Sequence, residues 1–245
     1  MKYKFITLIF ALSILSEIKA QEIVYPWEFK INVGYNIGGT SPLPLPVEIR
    51  KIEKYSPASF APHIAFEATR WFNNKWGLTA QFTFDYKGFS VKDSVLYFHT
   101  EMKINENTYA GSFTGHNETK IKNSYMTIPV SATYRISDNW LAQAGVYAAY
   151  LYSPSFTGTA SNGYIREGGP TGEKTEVNEA SFDFSDEMNK FDFGLQAACE
   201  WNCYKRFSVR GQLAWGLLSI FPSDFTGISF KMYNIYGTVG VSYKL

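Results

Sequence analysis

The feature that most constrains this chain is an alternation of apolar and polar or small residues that runs unbroken from Trp27 to Gly38. A second such segment runs from Trp76 to Lys87. A repeat of two residues predicts β-strands, because successive side chains of a strand point to opposite faces. At about 3.3 Å per residue and a tilt near 45°, strands this long cross the hydrocarbon layer of a membrane, whereas strands of soluble proteins are commonly about half as long. The two segments therefore predict transmembrane strands.

Six further segments show a weaker form of this pattern, with an apolar row opposite a row rich in glycine, amides, hydroxyls and charges. Their ranges are 62–72, 123–136, 140–152, 191–201, 207–218 and 233–245. The total predicts an all-β fold, an eight-stranded antiparallel up-and-down transmembrane β-barrel with polar residues inside. Pro129 lacks the N–H that a strand ladder needs, so we expect a local bulge in the fourth strand.

The connections between the segments alternate in length. Short polar turns occupy 73–75, 137–139 and 202–206. The longer connections are 39–60, 88–120, 153–189 and 219–230. Transmembrane barrels have short periplasmic turns and long extracellular loops, and this alternation predicts the same arrangement here. An even number of strands would place both ends of the barrel in the periplasm.

Tryptophan residues gather at one end of the predicted barrel. Trp27, Trp76, Trp140 and Trp201 all fall at strand ends on the periplasmic side. Tryptophan favours the headgroup level of a membrane because it has an apolar body and a polar tip, so these residues predict an aromatic girdle. The alternative is a soluble, lipocalin-like barrel, in which the apolar row points inward and the polar row meets water.

The N-terminus resembles a secretory signal. Lys2 and Lys4 precede an apolar run at 5–15 and a more polar end at 16–20. We therefore expect a signal peptide at 1–20 and a barrel domain at 21–245. An uncleaved anchor helix is the alternative, but the run is only about eleven residues long where a membrane helix needs about twenty.

Charge and cysteine content argue against several kinds of partner. The 23 basic and 22 acidic residues give no electrostatic footprint for nucleic acid. Cys199 and Cys203 are too few for a disulfide scaffold and have no histidines at the spacing of a zinc site. A disulfide between them is an open but less favoured alternative, since one lies in a predicted strand and the other in the next turn. We expect no metal and no cofactor.

Five acidic and five basic residues fall on the inward rows. They are Glu28, Glu67, Asp85, Asp192 and Glu200 with Lys30, Lys87, Arg135, Arg210 and Lys244. An eight-stranded barrel is just wide enough to be filled by side chains, and an unpaired charge there would be costly. We therefore predict a lumen charge network that includes Lys30, Glu67, Asp85, Asp192 and Arg210 and plugs the barrel. The alternative is a narrow path for protons or ions.

Four short motifs carry a resemblance to a known family. They are Ser124–Val130 with Tyr134, Ala144–Tyr147, Phe191–Leu195 and Gly240–Leu245. These stretches resemble strands four, five, six and eight of PorT-like outer-membrane barrels of Bacteroidetes. The resemblance implies an outer-membrane protein beta-barrel domain, location in the bacterial outer membrane and, in its most specific form, an accessory role in secretion.

The function predicted from these features is a non-enzymatic, structural or interaction role in the cell envelope. Expected partners are outer-membrane lipid, the barrel-assembly machinery during insertion, and other envelope proteins that contact the loops or the periplasmic rim. A narrow channel or small-solute carrier is the main alternative. A lipid-modifying enzyme is less favoured, because His63, His99 and His116 are not paired on a strand with a serine and an acid.

Overall fold

A computed structural model gives the fold of residues 27–57, 61–104, 107–169 and 171–245. The predicted signal peptide at 1–20 lies outside the described residues. Within them, no helix has the length and apolar content needed to cross a membrane.

Strands make up almost all of the regular structure in the described ranges, with one 3-10 turn at Ser185–Glu187. The strands are β1 (Trp27–Pro42), β2 (Ile49–Ser56), β3 (Pro62–Trp71), β4 (Trp76–Ile104), β5 (Asn107–Arg135), β6 (Trp140–Ser153), β7 (Phe156–Arg166), β8 (Lys174–Asp183), β9 (Phe191–Tyr204), β10 (Phe207–Gly216) and β11 (Met232–Lys244).

Eight of these strands are joined edge to edge in a closed antiparallel cycle. Its order is β1, β3, β4, β5, β6, β9, β10 and β11, and β11 pairs again with β1. Closure gives each of these strands a partner on both sides, which leaves no free edge along the paired stretch. Short turns connect β3 to β4, β5 to β6 and β9 to β10 at one end of the cycle, which we call the turn end.

The predicted total of eight strands is wrong, because the described residues form eleven. β2, β7 and β8 lie in connections that were predicted to be loops, and β4 and β5 continue through most of 88–120 as strands of 29 residues each. β2 pairs with β4, β7 pairs with β5, and β8 pairs with β7 and at one position with β4. On one side of the barrel the sheet therefore continues beyond the cycle, at the end opposite the turn end. We call this part the extension; it is formed by β2, β7, β8 and the ends of β4 and β5 that pair with them.

Apolar side chains of the cycle point outward and polar side chains point inward. Val33, Phe66 and Leu195 are 55%, 52% and 50% exposed, whereas Glu67 is 2% exposed. This polarity is the reverse of a soluble barrel, in which the apolar row fills the interior. The lipocalin-like alternative is therefore excluded.

The predicted bulge at Pro129 is also wrong. Ala80 is opposite Val130 and Thr83 is opposite Thr127, so the register between β4 and β5 is the same on both sides of the proline. The β4–β5 pairs at Ile128 and Pro129 are missing from the ladder while the register is kept. The missing N–H thus interrupts the ladder locally without inserting a residue.

The interior has two parts of opposite character. Inside the cycle, buried lysine, arginine, carboxylate, amide and hydroxyl groups form a polar lumen. In the extension, buried aromatic and aliphatic side chains form an apolar core that includes Phe98, Phe113, Phe156, Ile165 and Phe182. The polarity of the interior therefore changes along the barrel axis.

Candidate functional site

The half of the polar lumen nearer the turn end holds two acids and two bases, which we call the waist network. Lys30 Nζ lies 2.7 Å from Glu200 Oε1 and 4.0 Å from Glu67 Oε1. Arg210 Nη1 lies 3.2 Å from Glu67 Oε2 and 3.5 Å from Glu200 Oε2. Each side chain is at most 5% exposed. The four formal charges balance within one cluster.

Strand register explains how these residues meet. Lys30 is opposite Glu67 on β1 and β3, and Arg210 is opposite Glu200 on β10 and β9. Residues directly opposite each other on neighbouring strands point to the same face. Two cross-strand acid–base pairs therefore face each other inside the cycle, and the closed barrel brings them into contact.

Amide side chains complete the waist network. Gln81 Nε2 donates to Glu67 Oε2 at 2.8 Å, and Gln143 Nε2 donates to Glu67 Oε1 at 3.3 Å. Arg210 Nη2 donates to Gln143 Oε1 at 2.7 Å and to Gln212 Oε1 at 3.1 Å. These bonds link opposite walls of the barrel, so side chains fill the lumen at this level.

Two of the predicted network residues do not reach the waist. Asp85 Oδ1 lies 2.7 Å from His63 Nδ1 and accepts a hydrogen bond from Asn36 at 3.1 Å. Asp192 accepts hydrogen bonds from the hydroxyl of Tyr147 at 3.1 Å and from Asn234 Nδ2 at 3.0 Å. The structure therefore joins Lys30, Glu67 and Arg210 directly, while Asp85 and Asp192 belong to separate hydrogen-bonded clusters.

Three tyrosine rings surround Lys87 where the lumen meets the apolar core. The lysine Nζ lies 4.7, 5.4 and 5.6 Å from the ring centres of Tyr125, Tyr147 and Tyr236. Cations at such distances are attracted to the electron-rich ring faces. We call these four residues the tyrosine collar. Lys87 was predicted to point inward, but the collar was not predicted, because β11, which carries Tyr236, is far in the chain from β5 and β6, which carry the other two rings.

The collar leaves little free space. A gap of about 10 Å³ remains among Asp85, Lys87, Tyr147, Tyr236 and neighbouring polar residues. A cavity of about 10–15 Å³ is the smallest that holds one water molecule. The waist network and the collar thus obstruct the lumen at two levels.

The four predicted girdle residues lie at the turn end and point outward. Trp27, Trp76, Trp140 and Trp201 are 44–56% exposed. The rings of Trp140 and Trp201 stack with their centres 6.2 Å apart. Their contact with lipid headgroups stays a prediction.

On the same strand as Trp201, Cys199 is exposed and unpaired.

The extension contains a cavity of about 510 Å³, which we call the extension cavity. Aromatic and aliphatic side chains dominate its wall, among them Ile49, Phe98, Phe156, Phe184 and Phe230. The cavity was not predicted from the sequence, because its wall joins residues from β1 to β11 that only the tertiary fold brings together.

The family model described as outer membrane protein beta-barrel domain matches residues 19–222. The chain belongs to this family. Location in the bacterial outer membrane is thereby confirmed, and the outward apolar row is the surface that lipid covers. The match is to outer-membrane barrels in general, so it gives no support for the secretion role that the PorT-like resemblance implies.

Solved structures of outer-membrane proteins resemble the chain at low sequence identity. The attachment invasion locus protein Ail of Yersinia pestis is 13% identical, with 89% of this chain and 97% of Ail covered and a TM-score of 0.39. CarO2 of Acinetobacter baumannii is 13% identical, with 89% of this chain and 99% of CarO2 covered and a TM-score of 0.37. A search of curated proteins found no match.

Proposed function

We propose that this outer-membrane protein is a non-enzymatic barrel with a closed lumen, whose structural or interaction role is carried by the extension. The waist network is the observation that supports this proposal most directly. Its charges balance, its polar groups bond from wall to wall, and the collar narrows the lumen again. In this arrangement the lumen stabilises the barrel instead of conducting.

The orientation of the barrel in the membrane is inferred from the lengths of the connections at its two ends. We propose that the turn end faces the periplasm and that the extension stands outside the cell, as in other transmembrane barrels. Exposed loops and edges on a rigid scaffold are common sites of binding. Contacts with other envelope proteins would then use the extension on one side and the turn end on the other.

The histidines support a non-enzymatic role. His63 is buried in the lumen beside Asp85, and His116 Nδ1 lies 2.8 Å from Glu53 Oε1 in the extension. His99 is exposed in the part of β4 that belongs to the extension. A hydrolase that acts on membrane lipid would need its histidine beside a nucleophile on the outer wall.

Proton flux into vesicles tests the closed lumen. The purified protein is reconstituted into phospholipid vesicles that contain a pH-sensitive dye, and incorporation is measured by flotation. Vesicles with the wild-type protein are expected to hold a pH gradient as long as protein-free vesicles. A triple variant that removes the waist side chains, Glu67→Ala, Gln143→Ala and Arg210→Ala, is expected to shorten the lifetime of the gradient.

The same experiment distinguishes the channel alternative. Rapid loss of the gradient with the wild-type protein would contradict the closed lumen. Single-channel recording in planar bilayers would then show steady openings, and sensitivity of those openings to Glu67→Gln would place the conducting path at the waist.

A further inference from the structure

The extension cavity has the size and wall of a small-molecule site. Its volume of about 510 Å³ lies within the range of about 300–1,000 Å³ that is usual for ligand pockets. Such pockets have mostly apolar walls and a few polar groups that fix the orientation of the ligand. In this cavity the polar side chains are Asp93, Thr100, Asn117 and Thr119 on β4 and β5, with Thr40, Ser41 and Tyr55 on β1 and β2.

Asp93 is the charged residue of this wall. It is 5% exposed, and its Oδ1 atom has no hydrogen-bond partner within the described part of the chain. No lysine, arginine or histidine is among the described residues that line the cavity. A buried carboxyl group without a full set of partners is costly for a protein to maintain. A ligand that donates to Oδ1 would remove this deficit.

Burial raises the pKa of Asp93 to about 6; a hydrogen bond from Asn117 lowers this pKa and the negative charge of Glu53 raises it further. Glu53 Oε1 lies 2.8 Å from His116 Nδ1, and Glu53 Oε2 lies 4.0 Å from Lys92 Nζ. With a pKa of about 6, the Asp93 carboxyl group is ionised at pH 7.5.

The cavity has access to the surface near the level where the lipid-facing row of β1 ends. Ile37 belongs to that row and also lines the cavity, and it is 44% exposed. Leu45 and Ile52 also line the cavity and are 52% and 50% exposed. An apolar molecule that partitions into the outer leaflet would meet an apolar entrance there.

We propose that the extension cavity binds a small amphipathic amine, with its ammonium group paired to Asp93 and its apolar body against the aromatic wall. The ammonium supplies the positive charge that the described lining lacks and a hydrogen-bond donor for Asp93 Oδ1. A carboxylate with the same apolar body would meet Asp93 with a like charge, and an alcohol would supply a donor without charge. The proposal does not depend on whether the lumen conducts.

Three probes with one apolar body test this proposal. Binding of 4-phenylbutylamine, 4-phenylbutanol and 4-phenylbutyrate is measured by isothermal titration calorimetry at pH 7.5. The protein is held in nanodiscs of zwitterionic lipid, and empty nanodiscs give the blank. The amine is expected to bind at least about tenfold more tightly than the carboxylate, with the alcohol between them. No binding above the blank, or equal affinity for the three probes, would overturn the proposal.

Variants test whether the preference for the amine over the carboxylate comes from Asp93. Asp93→Asn is expected to reduce the difference between amine and carboxylate to less than about threefold. The matched control is Asp138→Asn, which removes an exposed aspartate from the turn end and should leave the difference unchanged. Ile49→Trp, which fills part of the cavity, should weaken binding of all probes. Retained heat-modifiable gel migration shows that each variant is folded. An amine preference that survives Asp93→Asn, or binding that survives Ile49→Trp, would overturn the assignment.

The pH profile gives an independent test. Alkylamines remain protonated between pH 5 and 8, as lysine does, whereas Asp93 loses its charge below its pKa of about 6. Affinity for the amine should therefore fall by about tenfold between pH 7.5 and pH 5. Histidine titrates in the same range, so the measurement is repeated with His116→Gln. The affinity of this variant for the amine should fall with pH as in the wild-type protein. A flat profile, or one abolished by His116→Gln, would contradict pairing with Asp93.

Discussion

Replacing Glu67 with glutamine is expected to lower the free energy of unfolding by about 3–5 kcal/mol. The change keeps the size of the side chain and removes one of two negative charges in the waist network. Lys30 would then keep Glu200 at 2.7 Å and Glu28 at 3.2 Å, and Arg210 would keep Glu200 at 3.5 Å. Removing one partner of a buried ion cluster leaves an uncompensated charge in a region of low dielectric constant. The measurement is equilibrium unfolding of the barrel in phospholipid vesicles, followed by tryptophan fluorescence and gel migration.

Two comparisons test whether the loss of stability comes from the waist network. Glu176→Gln removes the same charge from an exposed pair with Lys174 and should change the unfolding free energy by less than about 1 kcal/mol. The double variant Glu67→Gln, Arg210→Gln removes one acid and one base, and balance of the remaining pair should recover part of the lost stability. Equal effects of Glu67→Gln and Glu176→Gln would show that the waist network does not stabilise the barrel.

Placing an arginine in the middle of the lipid-facing row is expected to have the second-largest effect. Val146 lies in the middle of β6 and is 57% exposed on the outer face. In a membrane, Val146→Arg should lower the unfolding free energy by about 2–4 kcal/mol, because the charge would lie near the bilayer midplane. The same unfolding measurement in vesicles applies.

Depth within the membrane provides the control. Tyr152 is also exposed, but it lies near the end of β6 away from the turn end. Tyr152→Arg should have an effect of about 0–1 kcal/mol, because charges near the interface are tolerated. If the two substitutions had the same effect, or if Val146→Arg had none, Val146 would not lie in the hydrocarbon layer.

Much of the barrel wall was predictable because the lipid imposes a strict chemical rule on it. Each outward position from Trp27 to Ile37 must be apolar, while the inward positions are polar or small, and this produces an alternation visible without any tertiary information. In the extension, water and protein replace lipid, so charged residues such as Lys92 and Glu118 can occupy outward positions of long strands. The alternation is then lost, and β2, β7 and β8 looked like loops.

The charge network was predictable in kind but not in its arrangement. Alternation alone placed Lys30, Glu67 and Arg210 on the inner face, and the structure joins them. Relative height in a barrel depends on the register of every intervening strand pair, which no single strand encodes. For this reason Asp85 and Asp192 were included in one predicted lumen network with Lys30, Glu67 and Arg210, although their side chains bond elsewhere. The extension cavity depends entirely on such long-range contacts.

The pairing of β1 with β11 also determines when the barrel can form. Strands at opposite ends of the described sequence, from Lys30 opposite Lys244 to Pro42 opposite Met232, form the seam of the cycle. Closure must therefore wait until the last strand has been synthesised and exported. Until then the apolar outer row of every earlier strand is without its lipid partner in an aqueous compartment.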